Sequence, residues 1–319
     1  MKITKLAIDE ISNLDQLIDI SDNGTAFCYN YFLKLKNIKW LLKIEKDNEL
    51  LCLFPLFENG SKVEQSTMYV PYGGPVLFLN RYSYRRSLLL QREIVYVLVK
   101  YLQKNYGEIC FSCDTSMTDV KSFVNLNVVP EIRYTYKIDL TKTLEEIVKD
   151  FSKDRKKDLR KAQRLNLELV VDKDLKLFDI KQALIWEKKY GDYSSKFFVE
   201  KYLKESIKQN KGNVFVAKYD NEIVGGVAIV WDNNSAYIMY SYYNHSLDVS
   251  TIPFLYNSII HYLKNETKCK YLDFEGSVFE EIEKWNLSFG AKQCLYFNYY
   301  WQKKNQEKIY KDLYNYGEK

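Results

Sequence analysis

Tyr271-Leu272-Asp273-Phe274-Glu275-Gly276-Ser277 is followed shortly by Trp285-Asn286-Leu287-Ser288-Phe289-Gly290-Ala291. The first run reads as a buried strand ending on an acidic residue and Gly-Ser. A short acidic helix fills the gap, and Gly290 turns the chain into a further strand. Asp273 and Glu275 share a parity on such a strand, so both carboxylates would face one side. Partly buried, Glu275 or Asp273 would serve as a general base toward an amine or hydroxyl; solvated, they would be an ordinary polar face. Trp285 and Phe289 are four apart and are expected to pack on one helix face, with Trp285 and Asn286 beside any cleft.

Upstream of this run the elements repeat. Val214–Lys218 and Ile223–Val230 read as strands around a turn at Asp220-Asn221, Ala236–Tyr243 as a third, Pro253–Lys264 as a helix, and Lys270–Phe274 as the strand above. The earlier half has the same order. Strands at Trp40–Glu45 and Leu50–Phe57 flank a turn at Asp47-Asn48, a helix covers Tyr84–Lys104, and Ile109–Ser112 is a strand. Phe111 and Leu272, the centres of the two last strands, lie 161 positions apart. Shared order and spacing point to a duplicated unit, and 319 residues are enough for two cores. The expected domains are 1–134 and 135–319.

Tyr134–Leu140 alternates like a strand between the halves, and Thr143-Leu144-Glu145-Glu146 has capping-box spacing. One basic helix over about 143–164 is expected. Lys156 and Arg160 share one face and Arg155 falls beside Leu159 and Ala162. These cations suit phosphate or carboxylate oxygens, although Asp154 and Asp158 interleave as on a solvated face. Tyr72-Gly73-Gly74-Pro75 reads as a backbone approach to ligand or as a plain turn. Tyr242-Tyr243-Asn244-His245 is a polar aromatic loop in which Tyr242 is a candidate to orient substrate. Ser250 or Thr251 would cap the next helix, whose N-terminus suits an anion. A further helical region spans 180–208 around Tyr190-Gly191-Asp192-Tyr193.

Composition narrows the classes. The chain is 46% hydrophobic and 28% charged, typical of a folded protein, and no apolar run is long enough for a transmembrane segment. Acidic residues follow Met1-Lys2-Ile3-Thr4-Lys5, so no signal peptide is expected and a cytoplasmic location is. Cys110-Phe111-Ser112-Cys113 lies in a strand-like run without a second cysteine pair, and only His245 and His261 exist, so no metal is expected. A net charge of +5 does not by itself predict nucleic-acid binding. Rossmann and Walker signatures do not occur.

The strand Tyr136–Leu140, the helix ending Ser152–Ala162, Asp273-Phe274-Glu275-Gly276-Ser277 and Ser288-Phe289-Gly290-Ala291 together resemble the Fem-type (FemABX) peptidyltransferases. They also resemble the related double-domain acyltransferases of the GNAT superfamily. Tyr72-Gly73-Gly74-Pro75-Val76-Leu77 resembles the matching turn of the first domain, and the likeness runs from about residue 25 to 300. It implies an α/β (α+β) fold of tandem GNAT-like domains, each a mixed, largely antiparallel sheet flanked by helices. It also implies an N-acyltransferase acting on a primary amine of a small molecule or cell-envelope glycan precursor. The basic helix then offers Arg155, Lys156 and Arg160 to a nucleotide-linked amino-sugar acceptor. Trp285-Asn286 stands where Fem-type enzymes usually carry Phe-Lys, which removes a cation useful to tRNA and favours acyl-CoA as co-substrate. Aminoacyl-tRNA is the alternative donor, and a catalytically inactive binding protein is the alternative class.

Overall fold

A computed structural model describes residues 1–65, 70–185, 196–247, 249–276 and 279–303. The chain divides into two compact units, Tyr134–Cys294 and Met1–Arg133 joined by the segment from Leu295. The closing strand thus falls with the first unit, whereas a division at residue 134 counts it in the second half.

In the first unit β1 (Lys2–Ala7), β2 (Trp40–Lys46), β3 (Glu49–Leu56) and β6 (Val76–Leu77) form an antiparallel sheet, preceded by or interleaved with α1 (Leu14–Ile20) and α2 (Asn30–Leu35). The short strands β4 (Glu58–Asn59) and β5 (Lys62–Glu64) lead to α3 (Tyr84–Asn105) and β7 (Glu108–Ser112). β5 pairs with β7 in parallel. The chain continues through α4 (Lys121–Val124) into β8 (Val129–Asp139). The returning β14 (Lys292–Gln302) pairs antiparallel with β7, Asn298 opposite Ser112. The core gathers Leu42, Phe54, Ile94, Leu98, Phe111 and Tyr299.

The second unit has a related order of elements, although its strands lie in one sheet where those of the first unit lie in two. From the end of β8 the chain forms α5 (Leu144–Asp150), α6 (Lys153–Arg164), β9 (Glu168–Val171), α7 (Ile180–Ala183), α8 (Lys196–Lys208), β10 (Gly212–Tyr219), β11 (Glu222–Trp231) and β12 (Ser235–Tyr243). Then come α9 (Thr251–Glu266), β13 (Tyr271–Asp273) and α10 (Glu280–Ser288). Its sheet order is β8-β13-β12-β11-β10-β9, antiparallel except for the parallel pair β12–β13. In each unit a helix thus separates two strands that pair in parallel. The leading hairpins share turn chemistry as well. Asp47 and Asn48 have φ of 52° and 62°, Asp220 and Asn221 of 51° and 64°, the left-handed pairs that match hairpin twist and suit Asp and Asn. On α9, Ile252, Leu255, Ile259 and Leu263 recur at helical spacing and bury against Val227, Ile229 and Leu272. No helix among the described residues is long and apolar enough to cross a membrane.

Two expectations are corrected, and a third falls partly outside the described residues. The helix expected over 143–164 is two helices. The capping box forms, Thr143 Oγ1 accepting from Glu146 N at 3.2 Å and Glu146 Oε2 from Thr143 N at 2.8 Å. Phe151 then turns extended (φ −63°, ψ 147°) to enter the core, and Ser152 caps α6 by accepting from Arg155 N at 3.2 Å. Second, β13 stops at Asp273, and Glu275 (φ 61°) and Gly276 (φ 81°) turn the chain, so strand parity does not align the two carboxylates. Third, the 180–208 region contains α7 and α8, while Tyr190-Gly191-Asp192-Tyr193 lies outside the described residues.

Gly276 is fixed by close approach. A Cβ there would stand 2.2 Å from the Tyr134 carbonyl oxygen, a backbone atom that cannot swing away. Gly276→Ala is expected to destabilise the protein by about 2–4 kcal/mol, combining left-handed strain with overpacking. Urea denaturation checks this, and a loss under about 1 kcal/mol would contradict it.

Candidate anion-binding cleft of the second unit

β12 and β13 pair only from Ser235 opposite Tyr271 to Tyr237 opposite Asp273. β12 runs on to Tyr243, held along its other edge by β11. Beyond Tyr237, then, β12 has no partner from β13, and the chain leaves its end for the loop before α9.

α9 begins where that edge ends. Its first N–H groups have no acceptor within the helix and carry the positive end of a 16-residue dipole. Pro253 removes one of them, and Phe254 N donates to Ser250 O at 3.2 Å, which leaves Thr251 and Ile252. The expectation of a serine cap is corrected: Ser250 sits left-handed at φ 58°, and its hydroxyl donates to Asp158 Oδ1 of α6 at 3.4 Å. Thr251 packs over β11, where a Cβ on Gly225 would lie 2.7 Å from Thr251 Cγ2. This contact explains why glycine is needed at 225. Thr251 is 3% exposed, and its Oγ1 is buried with no hydrogen-bond partner.

A cleft of about 160 Å³ opens at this helix end, lined among others by Arg155, Asp158, Tyr243, Thr251 and Trp285. The Arg155 guanidinium lies over the Trp285 ring at 4.4 Å and reaches Phe289 at 5.7 Å. One nitrogen, Nη1, pairs with Asp158 at 3.1 Å, while the buried Nε has no partner. Trp285 and Phe289 pack edge to face at 5.3 Å, sharing a face as their spacing predicts. The ring stack orients the guanidinium, Asp158 occupies one of its donors, and Nε and the Thr251 hydroxyl remain available. These donors suit an anionic oxygen. Burying two polar groups without partners costs free energy that such a ligand would recover.

Residues 149–280 match the family model described as acetyltransferase (GNAT) domain. That segment is similar to a GNAT domain. A search of curated proteins returns no match. Among solved structures the fold is similar to FemX, at a TM-score of 0.68 and 11% identity over 93% of this chain and 97% of that one. It is also similar to L-PGS from Bacillus licheniformis (TM-score 0.58, 12% identity, 92% and 93% covered). A GNAT-family acetyltransferase from Colwellia psychrerythraea is a third likeness (0.53, 9%, 95% and 100%). The chain therefore has a fold like that of FemX and of GNAT-family acetyltransferases, with mixed and largely antiparallel sheets flanked by helices.

Within the second unit the expected site residues separate. Arg155 and Trp285 line the cleft together. Lys156 and Arg160 lie on another face of α6: Lys156 Nζ donates to the Lys149 carbonyl at 2.6 Å, tying α6 to the end of α5, and Arg160 is exposed. Tyr242 is buried and holds the preceding loop, accepting from Asp179 N at 3.1 Å and donating to Leu177 O at 3.5 Å. Burial pushes its phenol pKa up, so the hydroxyl stays protonated. Asn286, just past the GNAT match, is buried, and its Nδ2 has no partner. It does not line the cleft.

Asp273 is completely buried. Its Oδ1 accepts from the Thr135 hydroxyl and from Glu275 N at 2.8 Å, and Oδ2 pairs with Lys137 Nζ at 3.2 Å. A carboxylate so committed anchors β13 to β8 and shapes the turn carrying Glu275. In the first unit, Tyr72, Gly73 and Gly74 are buried. Gly73 N donates to Ser112 O at 3.1 Å, and Tyr72 packs edge to face on Tyr296 at 5.1 Å. Their backbone is thus engaged as in a structural turn. Of the other lining residues, sequence reading takes Thr251 only as a cap candidate at a helix start suited to an anion, Tyr243 only as part of a polar aromatic loop, and Asp158 only as an acid on a solvated face. The available cue was position, a strand end followed by a helix start, rather than charge.

Proposed function

We propose that the protein is an N-acyltransferase that transfers an acyl group from acyl-CoA to a primary amine of a small molecule or cell-envelope glycan precursor. The observation that carries this reading is the cleft at the start of α9, where Arg155 Nε and Thr251 Oγ1 await an anion near the end of β12, past its pairing with β13. The donor's phosphate would lie against Thr251, Ile252 N–H and Arg155, and its amide chain along β12. The acceptor amine attacks the thioester carbonyl, backbone N–H groups of β12 stabilise the oxyanion, and the thiolate leaves as the ammonium proton passes to a base. Glu275, at the turn where β12 and β13 part, is the proposed base, directly or through water. The exposed Arg160, with Lys156 nearby, would draw a nucleotide-linked amino-sugar acceptor. The two units are read as tandem GNAT-like domains.

A second reading, transfer from the aminoacyl ester of a tRNA, is favoured by Pro253. With one N–H missing, this helix end offers fewer donors for a diphosphate and better suits the single charge of a phosphodiester.

Mass spectrometry tests both readings. The protein is incubated with acyl-CoAs or aminoacyl-tRNA and a panel of amines that includes UDP-amino sugars. Expected is a hydroxylamine-stable acyl increment on an amine; donor binding without transfer would favour a binding protein instead. Thr251→Val supplies a separate check. Removing an unpartnered buried hydroxyl is expected to raise stability by about 1 kcal/mol while weakening donor binding about tenfold. Unchanged affinity would take Thr251 out of the site.

A further inference from the structure

We propose that the outer face of α3 in the first unit docks on an anionic lipid bilayer. This is independent of the acyl-transfer reading. The inner face of α3 buries Leu90, Ile94, Val95, Leu98, Val99 and Leu102. At about 100° per residue, Arg85, Leu89, Arg92, Tyr96 and Lys100 fall in one stripe about 80° wide, opposite that core. Polar side chains belong at the point of a helix farthest from its core. Here that point carries Leu89, 49% exposed, and Tyr96, 56% exposed, with Tyr84 at 84% heading the helix. The stripe is about 22 Å long.

Its charge is positive. The acids beside it each have a cation: Glu93 pairs with Lys46 at 3.0 Å, Asp119 with Arg92 at 2.9 Å and Glu49 with Arg81 at 3.1 Å. Arg85, Arg86 and Lys100 are exposed in addition. Arg81 and Arg86 both lie over the Tyr82 ring, at 5.0 and 4.7 Å, which steadies the basic end of the helix. A helix with leucine and tyrosine on its outer face and cations on its flanks fits the boundary of lipid headgroups and acyl chains. The apolar groups enter this boundary, and arginine and lysine reach back to phosphates. RNA would also satisfy the cations and stack on tyrosine, but it would gain little from Leu89.

Sedimentation of the full chain with vesicles tests the assignment, using phosphatidylcholine alone and phosphatidylcholine with about one-third phosphatidylglycerol. Binding is expected only to the anionic vesicles and should weaken with salt. Arg85→Gln with Lys100→Gln should reduce partitioning about 30-fold. Leu89→Ser with Tyr96→Ser should reduce it about tenfold or more at unchanged charge. Lys153→Gln with Lys157→Gln, on exposed positions of α6, should bind as wild type; thermal melts confirm that each variant is folded. Equal binding to neutral vesicles, no binding at all, or full-strength binding by either α3 variant would overturn the proposal. So would loss of vesicle binding in the α6 variant, or capture by RNA with no affinity for vesicles.

Discussion

Asp273→Ala is expected to destabilise the protein by about 3–5 kcal/mol, the range for leaving a buried charge without its partner. The removed carboxylate holds Lys137, itself buried, and accepts from Thr135 and from Glu275 N. Two effects add: the ammonium loses its counter-charge, and the turn after β13 loses its anchor. Coulomb attraction alone does not make such a pair stabilising, because both ions were taken out of water. Pairing Asp273→Leu with Lys137→Met should therefore recover most of the loss. Urea denaturation of the three proteins separates the possibilities. If Asp273→Ala lost less than about 1 kcal/mol, the buried pair would not be the anchor described. If the double variant were as unstable as the single one, packing at 273 rather than charge would be responsible.

Arg155→Ala should act in the opposite sphere, lowering donor affinity about 30- to 100-fold with little effect on stability. A hydrogen bond to a charged group is worth about 1.5–3 kcal/mol, and the stack on Trp285 keeps the guanidinium oriented without the ligand. Its pair with Asp158 is one helical turn apart and partly solvated, so the folded protein loses little when it goes. Arg155→Lys should fall between, keeping the charge but losing the planar fork and the stack. Equilibrium binding and melting curves on the same samples check both halves. An equal drop in stability and affinity would make Arg155 a structural residue.

Much of the fold was legible because local signals agreed. Asp47-Asn48 and Asp220-Asn221 announce hairpins, Thr143 and Glu146 a capping box, and the period of α9 its buried face. The break at Phe151-Ser152 was hidden, since helical spacing continues across it and only the burial of Phe151 reveals it. The site was half legible. Charge singled out α6 but could not separate Arg155 from Lys156, neighbours about 100° apart on the helix. What separates them is tertiary: Trp285 under one, the Lys149 carbonyl under the other. Strand parity failed for Asp273 and Glu275 because a left-handed turn intervenes. The hydroxyl of Thr251 becomes informative only once the fold buries it.

The central claim is that the cleft at the start of α9 holds the anionic group of an acyl donor. Titrating acetyl-CoA and aminoacyl-tRNA separately into the wild-type protein and Arg155→Ala tests it most directly. Saturable binding of one donor, weakened at least about 30-fold in the variant, is the predicted result. Binding of neither donor, or equal affinity of the two proteins, would contradict it.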